Sequence, residues 1–477
     1  MRSKSVLVIP VLTFSLAAAA AGPSVPATPA LKPVDPAAFD PSVKPCEDFY
    51  QYAVGGWLKA NPVPADKSRW GSFEELADRN RAVLKSILEE TSAKSDWPKG
   101  SVKQKVGDFF AAGMDEAAIE KAGTKPLEPW LSKVEGLKSG TDLPKLVAEL
   151  HGRRLMAGYG FYVGQDQKET TRYIPMLGQG GLGLPDRDYY LKDDAKSKEI
   201  REKYVAHVAR MLELLGDPAD AAKAKAAVVM DLETKLATAA RTRVELRDPE
   251  RNYNKRSLGQ LVADAPGYDW KAYLAAMGVP ESQELNVRQP EFAKAFAVLA
   301  ASEPIEAWKT YFRWHLVRTS AAYLPKRFDE ESFAFFGRTL NGVPQQEERW
   351  KRVQAATDGA LGEALGQIYV ERAFSAKSKE RMKVLVENLR ASLKDRIEAA
   401  PWMGAETKKA ALTKLAAFGV KIGYPDKWRD YSALEVSRAS YFENVVNANA
   451  FEVKRNLGKL GKPIDRTEWG MTPQTVN

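Results

Sequence analysis

Histidine is the side chain that most often binds a catalytic metal, and it occurs only three times here, as His151, His207 and His315. A helical zinc-peptidase site needs histidines at positions i and i+4, because both imidazoles then leave one helix face and reach one ion. None of the three has a neighbour at that spacing. We therefore predict no catalytic constellation and no metal site within these residues, with each histidine on the surface or half-buried.

A glycine-rich stretch, GQGGLG at positions 178–183, matches the GxGxxG pattern of dinucleotide-binding loops. Such a loop must open a helix whose N-terminal amides face the pyrophosphate. The residues that follow, Leu184-Pro185-Asp186, break a helix rather than begin one, so we predict a structural loop. The sequence contains neither a GxxxxGKS/T phosphate loop nor a GxSxG nucleophile elbow, and no spacing singles out a catalytic pair of carboxylates.

The N-terminus predicts an exported protein. Arg2 and Lys4 precede an apolar run at 6–21 that ends in alanines, which is the pattern of a cleavable signal peptide over 1–22. The run is shorter than the roughly 20 residues of a membrane-spanning helix, and an uncleaved anchor is the alternative interpretation. Residues 23–36 are rich in Pro and Ala and predict a disordered spacer. We expect a periplasmic or extracellular protein without membrane contact once the signal is cleaved.

Composition is that of a globular protein with a mixed-charge surface. Of the 477 residues, 44% are hydrophobic, and the net charge is +9. Because basic residues alternate with Asp and Glu, we predict a solvated surface and no nucleic-acid partner. The single cysteine, Cys46, is unusual for an exported protein. Either it is a buried free thiol or its partner lies outside this chain.

Most elements are predicted to be helices. Ser72 and Glu75 have the spacing of a capping box that starts one of them. Apolar residues at intervals of three and four predict amphipathic helices that pack a core at 73–88, 204–215 and 382–397. Strand-like sequence is scarce, and the best candidates, 158–163 and 171–176, are expected to pair as a hairpin.

Several segments, in the same order and over nearly all of the chain after the spacer, resemble neprilysin-like zinc endopeptidases, the family of the endothelin-converting enzymes. They are PCEDFYQYAVGGWL at 45–58, NPVP at 61–64, SRWGSF at 68–73, GLGLPDRDYY at 181–190, RDP at 247–249, YN at 253–254, WM at 402–403, TK at 407–408, IGYPD at 422–426 and WGMTPQTVN at 469–477. The resemblance implies a mainly α fold, namely the large multi-helical lobe of a two-lobe peptidase with a small β-hairpin.

In that family, zinc is held by an HExxH motif and a downstream ExxxD, both of which follow the position that matches Asn477. The resemblance therefore implies no catalytic or metal-binding residue and no cofactor in this chain, and zinc in the full-length protein. It implies two substrate-binding residues: Asn477, which holds the substrate backbone, and Arg69, which neutralises the carboxylate of a short peptide. The alternative for Arg69 is a surface salt bridge. Cys46 matches a cysteine that pairs near the far C-terminus in members that contain disulfides.

We predict five segments from this resemblance. They are a signal peptide at 1–22, a spacer at 23–36, a segment at 37–95 that packs on the catalytic lobe, a helical substrate-enclosing domain at 96–430, and a linker with the start of the catalytic domain at 431–477.

The function implied is that of the N-terminal portion of an exported zinc metalloendopeptidase that cleaves peptides. This portion is expected to be truncated before the zinc site and inactive alone, with a missing catalytic half as a partner. The alternative is a non-catalytic peptide- or partner-binding module derived from such a peptidase.

Overall fold

The computed structural model describes residues 34–155 and 158–476. The predicted signal peptide and nearly all of the spacer, together with Asn477, lie outside the described residues. The mainly α fold with a small β-hairpin is confirmed. None of the helices in the described part of the chain is both long enough and apolar enough to cross a membrane.

Helices make up most of the described chain. The α-helices are α1 (Phe49–Ala60), α2 (Ser72–Ala93), α3 (Val102–Met114), α4 (Glu116–Ala122), α5 (Glu128–Glu135), α6 (Leu143–His151), α7 (Asp188–Leu191), α8 (Ala195–Leu214), α9 (Ala219–Ala239), α10 (Leu258–Asp264), α11 (Trp270–Ala276), α12 (Pro290–Ser302), α13 (Ile305–Ser320), α14 (Lys326–Ser332), α15 (Arg349–Ala373), α16 (Ala376–Ala399), α17 (Ala405–Ala416) and α18 (Tyr441–Leu457). A π-helix spans Phe333–Leu340. Single 3₁₀ turns lie at Pro36–Ala38, Lys125–Leu127, Gly140–Asp142, Glu245–Arg247 and Ala321–Tyr323.

A small sheet contains the predicted hairpin. Its strands are β1 (Gly160–Gln165), β2 (Tyr173–Gly178), β3 (Lys255–Arg256) and β4 (Leu285–Val287), in the order β1-β2-β4-β3. β1 and β2 pair antiparallel, with Gly160 opposite Gly178 and Gln165 opposite Tyr173. β4 is parallel to β2 and antiparallel to β3. The hairpin is thus confirmed, two residues later in the chain than the sequence pattern suggested.

Residue contacts divide the chain into two compact units, Met1–Ala60 and Asn61–Asn477. The first unit is described from residue 34. In it, the carboxylate of Asp40 accepts a hydrogen bond from Nε2 of Gln51 on α1 at 3.1 Å, and the rings of Phe39 and Tyr52 pack 5.5 Å apart. The predicted segment boundaries at 37, 95 and 430 stay predictions.

Within the second unit, α2 packs against α3 and α15. The contact uses Leu84, Ile87 and Leu88 of α2, all of which are buried. Burying each such side chain stabilises the fold by roughly 1.5–3 kcal/mol. Gly107 of α3 allows the close approach, since a Cβ at this position would lie 2.3 Å from the carbonyl oxygen of Thr91 in α2. The C-terminal half of α2 is therefore held rigidly.

Two further clusters fill the second unit. One surrounds the sheet with the aromatic residues of α11, α12 and α13, and the other joins α8, α9 and α13. The apolar stripe predicted at 204–215 belongs to the latter, with Tyr204, Val208, Met211 and Leu212 buried. That stripe packs a core, as expected.

Two local expectations were wrong. Ser72 is the first residue of α2 rather than its cap; Gly71 occupies the cap position, so no side chain caps the helix. The stripe at 382–397 is buried only at its end: Ile397 is buried and Val386 is half-buried, whereas Met382, Leu385, Leu389 and Leu393 are all exposed.

The glycine-rich loop at 178–183 is structural. Gly181 has φ +74°, and a Cβ there would lie 2.4 Å from the carbonyl oxygen of Gly158. A Cβ on Gly183 would lie 1.8 Å from the hydroxyl oxygen of Tyr204. No α-helix begins at the glycines. Close packing thus explains them without a phosphate ligand.

A buried polar network lies beside this loop, centred on Glu233 of α9. Its carboxylate accepts hydrogen bonds from the hydroxyls of Tyr190 at 2.6 Å and Tyr204 at 2.8 Å, Nε1 of Trp314 at 3.2 Å and Nε2 of His315 at 2.9 Å. Burial alone would raise the pKa of Glu233, but the bonds from His315 and the two tyrosines lower it. Burial lowers the pKa of His315. A carboxylate with four donors is the state this site stabilises.

Candidate substrate-binding site

Arg69 lies in the loop that leads into α2, and α15 together with Glu347, just before it, holds this loop in place. Nζ of Lys351 contacts the carboxylate of Asp66 at 2.9 Å, and Nζ of Lys67 contacts Glu347 at 2.7 Å. Arg81 of α2 also reaches Glu347 at 2.7 Å. Burial raises the pKa of Glu347, but the bonds from Lys67 and Arg81 lower it overall. The ion pairs of Asp66 and Lys67 fix the loop just before the arginine, and Arg81 ties the following helix, α2, to the same Glu347.

Arg69 itself faces solvent. Its side chain is 83% exposed, and its Nε contacts the carboxylate of Glu74 at 2.6 Å. The salt bridge that the sequence left as an alternative is therefore present. An exposed pair of this kind contributes at most about 1 kcal/mol, so the guanidinium can exchange Glu74 for the carboxylate of a ligand at little cost. Its substrate-binding role stays a prediction.

The first two turns of α2, next to Arg69, present apolar side chains to solvent. Phe73 and Leu76 are exposed, although the sequence stripe placed them with the core. Burial begins only at Leu84. The N-terminal part of α2 thus offers an apolar surface beside a cation.

The segment that leads to Asn477 is docked on α15. Two glycines one turn apart make room for it, since a Cβ on Gly362 would lie 2.7 Å from Cγ2 of Thr472 and one on Gly366 would lie 2.9 Å from Cδ of Pro473. α15 also departs from helical geometry just before them, at Leu361 (φ −130°, ψ 30°). The helix is therefore shaped to receive the segment.

Gln474 anchors this segment. It is 4% exposed, and its Nε2 donates to the carboxylate of Asp358 and, at 2.9 Å, to the carbonyl oxygen of Gly362. Burial raises the pKa of Asp358, and the bond from Gln474 opposes that rise. The backbone carbonyl oxygen of Gln474 accepts a hydrogen bond from Nδ2 of Asn80 at 3.0 Å. The side-chain oxygen of Asn80 in turn accepts a hydrogen bond from the hydroxyl of Tyr369 at 3.1 Å.

The two predicted substrate-binding positions are thus both tied to α2. Arg69 lies just before the helix begins, and Asn80 holds the segment that ends at Asn477. At 1.5 Å per residue, the start of α2 and Asn80 are about 12 Å apart along the axis. Asn477 itself lies outside the described residues, and its role also stays a prediction.

Sequence reasoning missed Gln474, Asn80 and Asp358. Each is an ordinary polar residue whose partner is distant in sequence, so no local pattern marks it. The pair Gly362 and Gly366 was the usable signal, because glycines one turn apart on a helix predict a close backbone approach.

The described residues do not fit a zinc ion. No group of three or more His, Cys, Asp or Glu side chains in 34–155 and 158–476 is arranged to hold a metal. The histidines lie on different helices, and all three are buried, contrary to the expectation of surface or half-buried positions. Each has a polar partner that compensates its burial: Tyr273 for His151, Glu331 for His207 and Glu233 for His315. Cys46 is a free, exposed thiol, so it is not the buried one that the sequence allowed.

Comparison with known proteins supports one family. Residues 45–425 match the model of peptidase family M13. The chain is 30% identical over 466 residues to an endothelin-converting enzyme homolog of Locusta migratoria, a match that covers 92% of this chain and 63% of the relative. It is 30% identical over 465 residues to endothelin-converting enzyme 1 of Rattus norvegicus, covering 92% and 59%. The chain therefore spans about 60% of the length of these relatives.

Solved structures agree. The zinc metalloprotease ZMP1 of Mycobacterium tuberculosis, in complex with an inhibitor, superposes with a TM-score of 0.87 at 37% identity, over 93% of this chain and 67% of that one. PepO of Lactobacillus rhamnosis, at 21% identity and a TM-score of 0.78 over 90% and 68%, shares the fold. The chain belongs to peptidase family M13, the neprilysin-like zinc metallopeptidases.

Proposed function

We propose that this chain is the N-terminal, substrate-enclosing portion of an exported zinc metalloendopeptidase that cleaves peptides. The observation that carries the proposal is the shared attachment of Arg69 and of the segment before Asn477 to α2. The family match supports the zinc chemistry. Export is supported by Arg2, Lys4 and the apolar run at 6–21.

These 477 residues contain no pair of histidines at i and i+4, so the zinc ligands of the active enzyme lie outside them. We infer that this portion alone binds peptides and does not hydrolyse them. Zinc would supply Lewis acidity and an activated water in the complete enzyme. The residues of this chain would hold the substrate, with Arg69 on its terminal carboxylate.

The activity is tested on the protein purified from its native source. Intact mass, zinc content and hydrolysis of quenched fluorescent peptides are measured on one preparation. We expect a mass above 52.8 kDa, bound zinc and hydrolysis that a chelator abolishes. A protein without zinc that binds peptides and leaves them intact would instead favour the non-catalytic peptide-binding module.

The role of Arg69 is tested by anisotropy with a labelled short peptide, as the free acid and as the C-terminal amide. Arg69→Ala should weaken binding of the free acid by up to about fivefold, the effect of the roughly 1 kcal/mol that an exposed ion pair contributes, and leave the amide unchanged. Arg243→Ala is the matched control, because Arg243 is also exposed and contacts Asp186 at 2.6 Å. Equal losses for both peptides would rule out recognition of the carboxylate.

A further inference from the structure

A groove of about 810 Å³ lies between α6 and α11 on one side and α18 with the loop before it on the other. Its floor is apolar: Met277 and Leu434 are buried, and Phe451, Val453 and Leu457 of α18 are half-buried. Towards the C-terminal end of α18 the groove continues into a cavity of about 360 Å³, which shares Met277, Val453 and Leu457 with it. A concave apolar surface of this volume, edged by a few polar groups, is typical of a ligand site.

The end of the groove at the C-terminal half of α18 is basic. Arg153 and Lys454 line the groove, and Arg154 lines the continuing cavity together with Asn456. All three cations are exposed, and none has a carboxylate within 4 Å in the part of the chain that the structure describes. Unpaired cations beside an apolar floor complement a ligand that carries a carboxylate.

Arg154 adopts a backbone conformation that favours glycine. Its φ is +53°, and the amide of Leu155 donates to the carbonyl oxygen of Leu150 at 3.0 Å, which closes the turn that ends α6. Glycine is the usual residue at the left-handed position of such a turn. No other described non-glycine residue has a positive φ. An arginine at a position that glycine would occupy with less strain indicates a role for its side chain.

The opposite end of the groove is acidic. Glu435 lines it and is exposed, whereas Glu149, which also lines the groove, is already paired with Lys133. Glu435 is held beside the N-terminal half of α18, because the side chain of Asn444 bonds the backbone amide and carbonyl of Ser437 at 3.0 and 2.6 Å. The two ends of the groove thus differ in charge.

The length of the groove corresponds to a short extended peptide. Asn447 lines the acidic end and Asn456 the basic end, and the two lie about 14 Å apart along the axis of α18. An extended chain covers this length in about four residues, at roughly 3.3 Å each.

We propose that this groove is a second peptide-binding site. It holds about four extended residues, with an acidic side chain at Arg153 and Arg154, apolar side chains on the floor and a basic side chain at Glu435. A ligand with one charged end, such as a fatty acid, would leave Glu435 without a partner. The groove shares no residue with the Arg69 loop or with the segment before Asn477. This inference rests on the proposed function for its class of ligand, peptides.

The test uses the protein from its native source, with variants introduced into the native gene and a chelator present so that peptides stay intact. The probe is the tetrapeptide amide Lys-Leu-Phe-Glu, labelled at its N-terminus and followed by fluorescence anisotropy. Amidation removes the terminal carboxylate that Arg69 is proposed to bind. Arg153→Ala with Arg154→Ala should weaken its binding by up to about 25-fold, about fivefold for each exposed ion pair. Binding of the peptide with Gln in place of Glu should stay unchanged.

Arg243→Ala with Arg247→Ala is the matched control, because both arginines are exposed and neither lines the groove. Glu435→Gln should weaken binding of the probe by up to about fivefold and leave a peptide with norleucine in place of Lys unchanged. Ala450→Trp fills the groove from a half-buried position on α18 and should abolish binding of all these peptides. Its melting temperature shows whether this variant is folded.

Three results would overturn the proposal. Equal losses for the Glu and Gln peptides would exclude the ion pair at the basic end. Dependence on the two arginines without dependence on Glu435 would indicate a ligand with one anionic end, such as a fatty acid. Binding that no groove variant changes would mean that other polypeptide covers the groove or, if Arg69→Ala abolished it, that the amide binds at Arg69.

The same preparation, assayed for zinc and hydrolysis before the chelator is added, separates the two proposals. Zinc and hydrolysis together with peptide binding that ignores the groove variants would refute the second site and leave the proposed function intact. Groove-dependent binding without zinc or hydrolysis would refute peptidase function and leave the second site intact.

Discussion

Gln474 offers the sharpest test of how the fold positions the predicted substrate-binding end of the chain. Gln474→Met keeps the length of the side chain and removes its Nε2, which donates to Asp358 and to the carbonyl oxygen of Gly362. Each buried acceptor left without a donor costs about 1–3 kcal/mol. Removing Oε1 of Gln474 offsets part of this cost, because that buried oxygen has no hydrogen-bond partner in the described structure. We expect a net cost of about 2–3 kcal/mol.

That cost should appear as local opening rather than global unfolding, because the segment is the end of the described chain and packs on a helix that is itself held by α2 and α3. By the usual relation of free energy to equilibrium constant, the opening constant rises roughly 30- to 150-fold. Hydrogen exchange followed by mass spectrometry reports it directly, since the amide of Thr475 is protected by the carbonyl of Thr472 at 3.1 Å. The urea midpoint should stay unchanged.

Gln167→Met is the control, because Gln167 is exposed. Gln474→Glu adds a pH test: the new carboxylate would share the site with that of Asp358, whose pKa is already raised by burial. Like charges disfavour each other's ionisation, so the segment should be closed at acidic pH and open as the pH rises. If exchange in Gln474→Met matched that in Gln167→Met, the anchoring role of Gln474 would be refuted.

Three further predictions concern stability. Glu233→Gln leaves two of the four buried donors without an acceptor and should cost about 2–5 kcal/mol in urea unfolding, whereas the exposed Glu199→Gln should leave the midpoint unchanged; equal midpoints would contradict the network. Because the folded-state pKa values of Glu233 and His315 are both lowered, the unfolded chain binds more protons below about pH 6.5, the ordinary value for histidine. Stability should therefore fall as pH falls from 7 to 4, less steeply in Glu233→Gln, as urea titrations at each pH will show. Gly183→Ala sets a Cβ 1.8 Å from the hydroxyl of Tyr204 and should cost at least about 1–3 kcal/mol; an unchanged melting temperature would mean that the loop is not packed there.

The local spacing of apolar residues predicted those helices and strands whose position is decided by burial of one apolar face. The stripe of α8 follows from apolar residues at intervals of three and four, the β1–β2 hairpin follows from its strand-like sequence, and both are present. The same reasoning failed for α16, because a period of three and four shows that a helix has an apolar face and says nothing about whether this chain covers it. The buried histidines were predictable in part: His207 lies three residues after Tyr204 and four before Met211, on the buried face of α8.

The candidate site was predictable only through resemblance. Arg69 is an exposed arginine with a glutamate partner, which is indistinguishable by pattern from any surface ion pair. Gln474, Asn80 and Asp358 come together only because α2, α15 and the last described segment meet, and contacts at such sequence separations leave no local signature. What the sequence could show was the glycine pair of α15, since only a close neighbour requires two missing side chains one turn apart.

The stretch that carried the resemblance most strongly, GLGLPDRDYY at 181–190, makes close contacts within the fold. Gly183 packs closely against Tyr204. The hydroxyl of Tyr190 donates a hydrogen bond to the carboxylate of Glu233. Gly183 and Tyr190 are thus packing residues, whose identity is dictated by several neighbours at once. Arg69, which is proposed to meet the substrate, is 83% exposed and is therefore weakly specified by the fold. Substitutions in the stretch should lower stability before they alter peptide affinity, whereas Arg69 should show the reverse order.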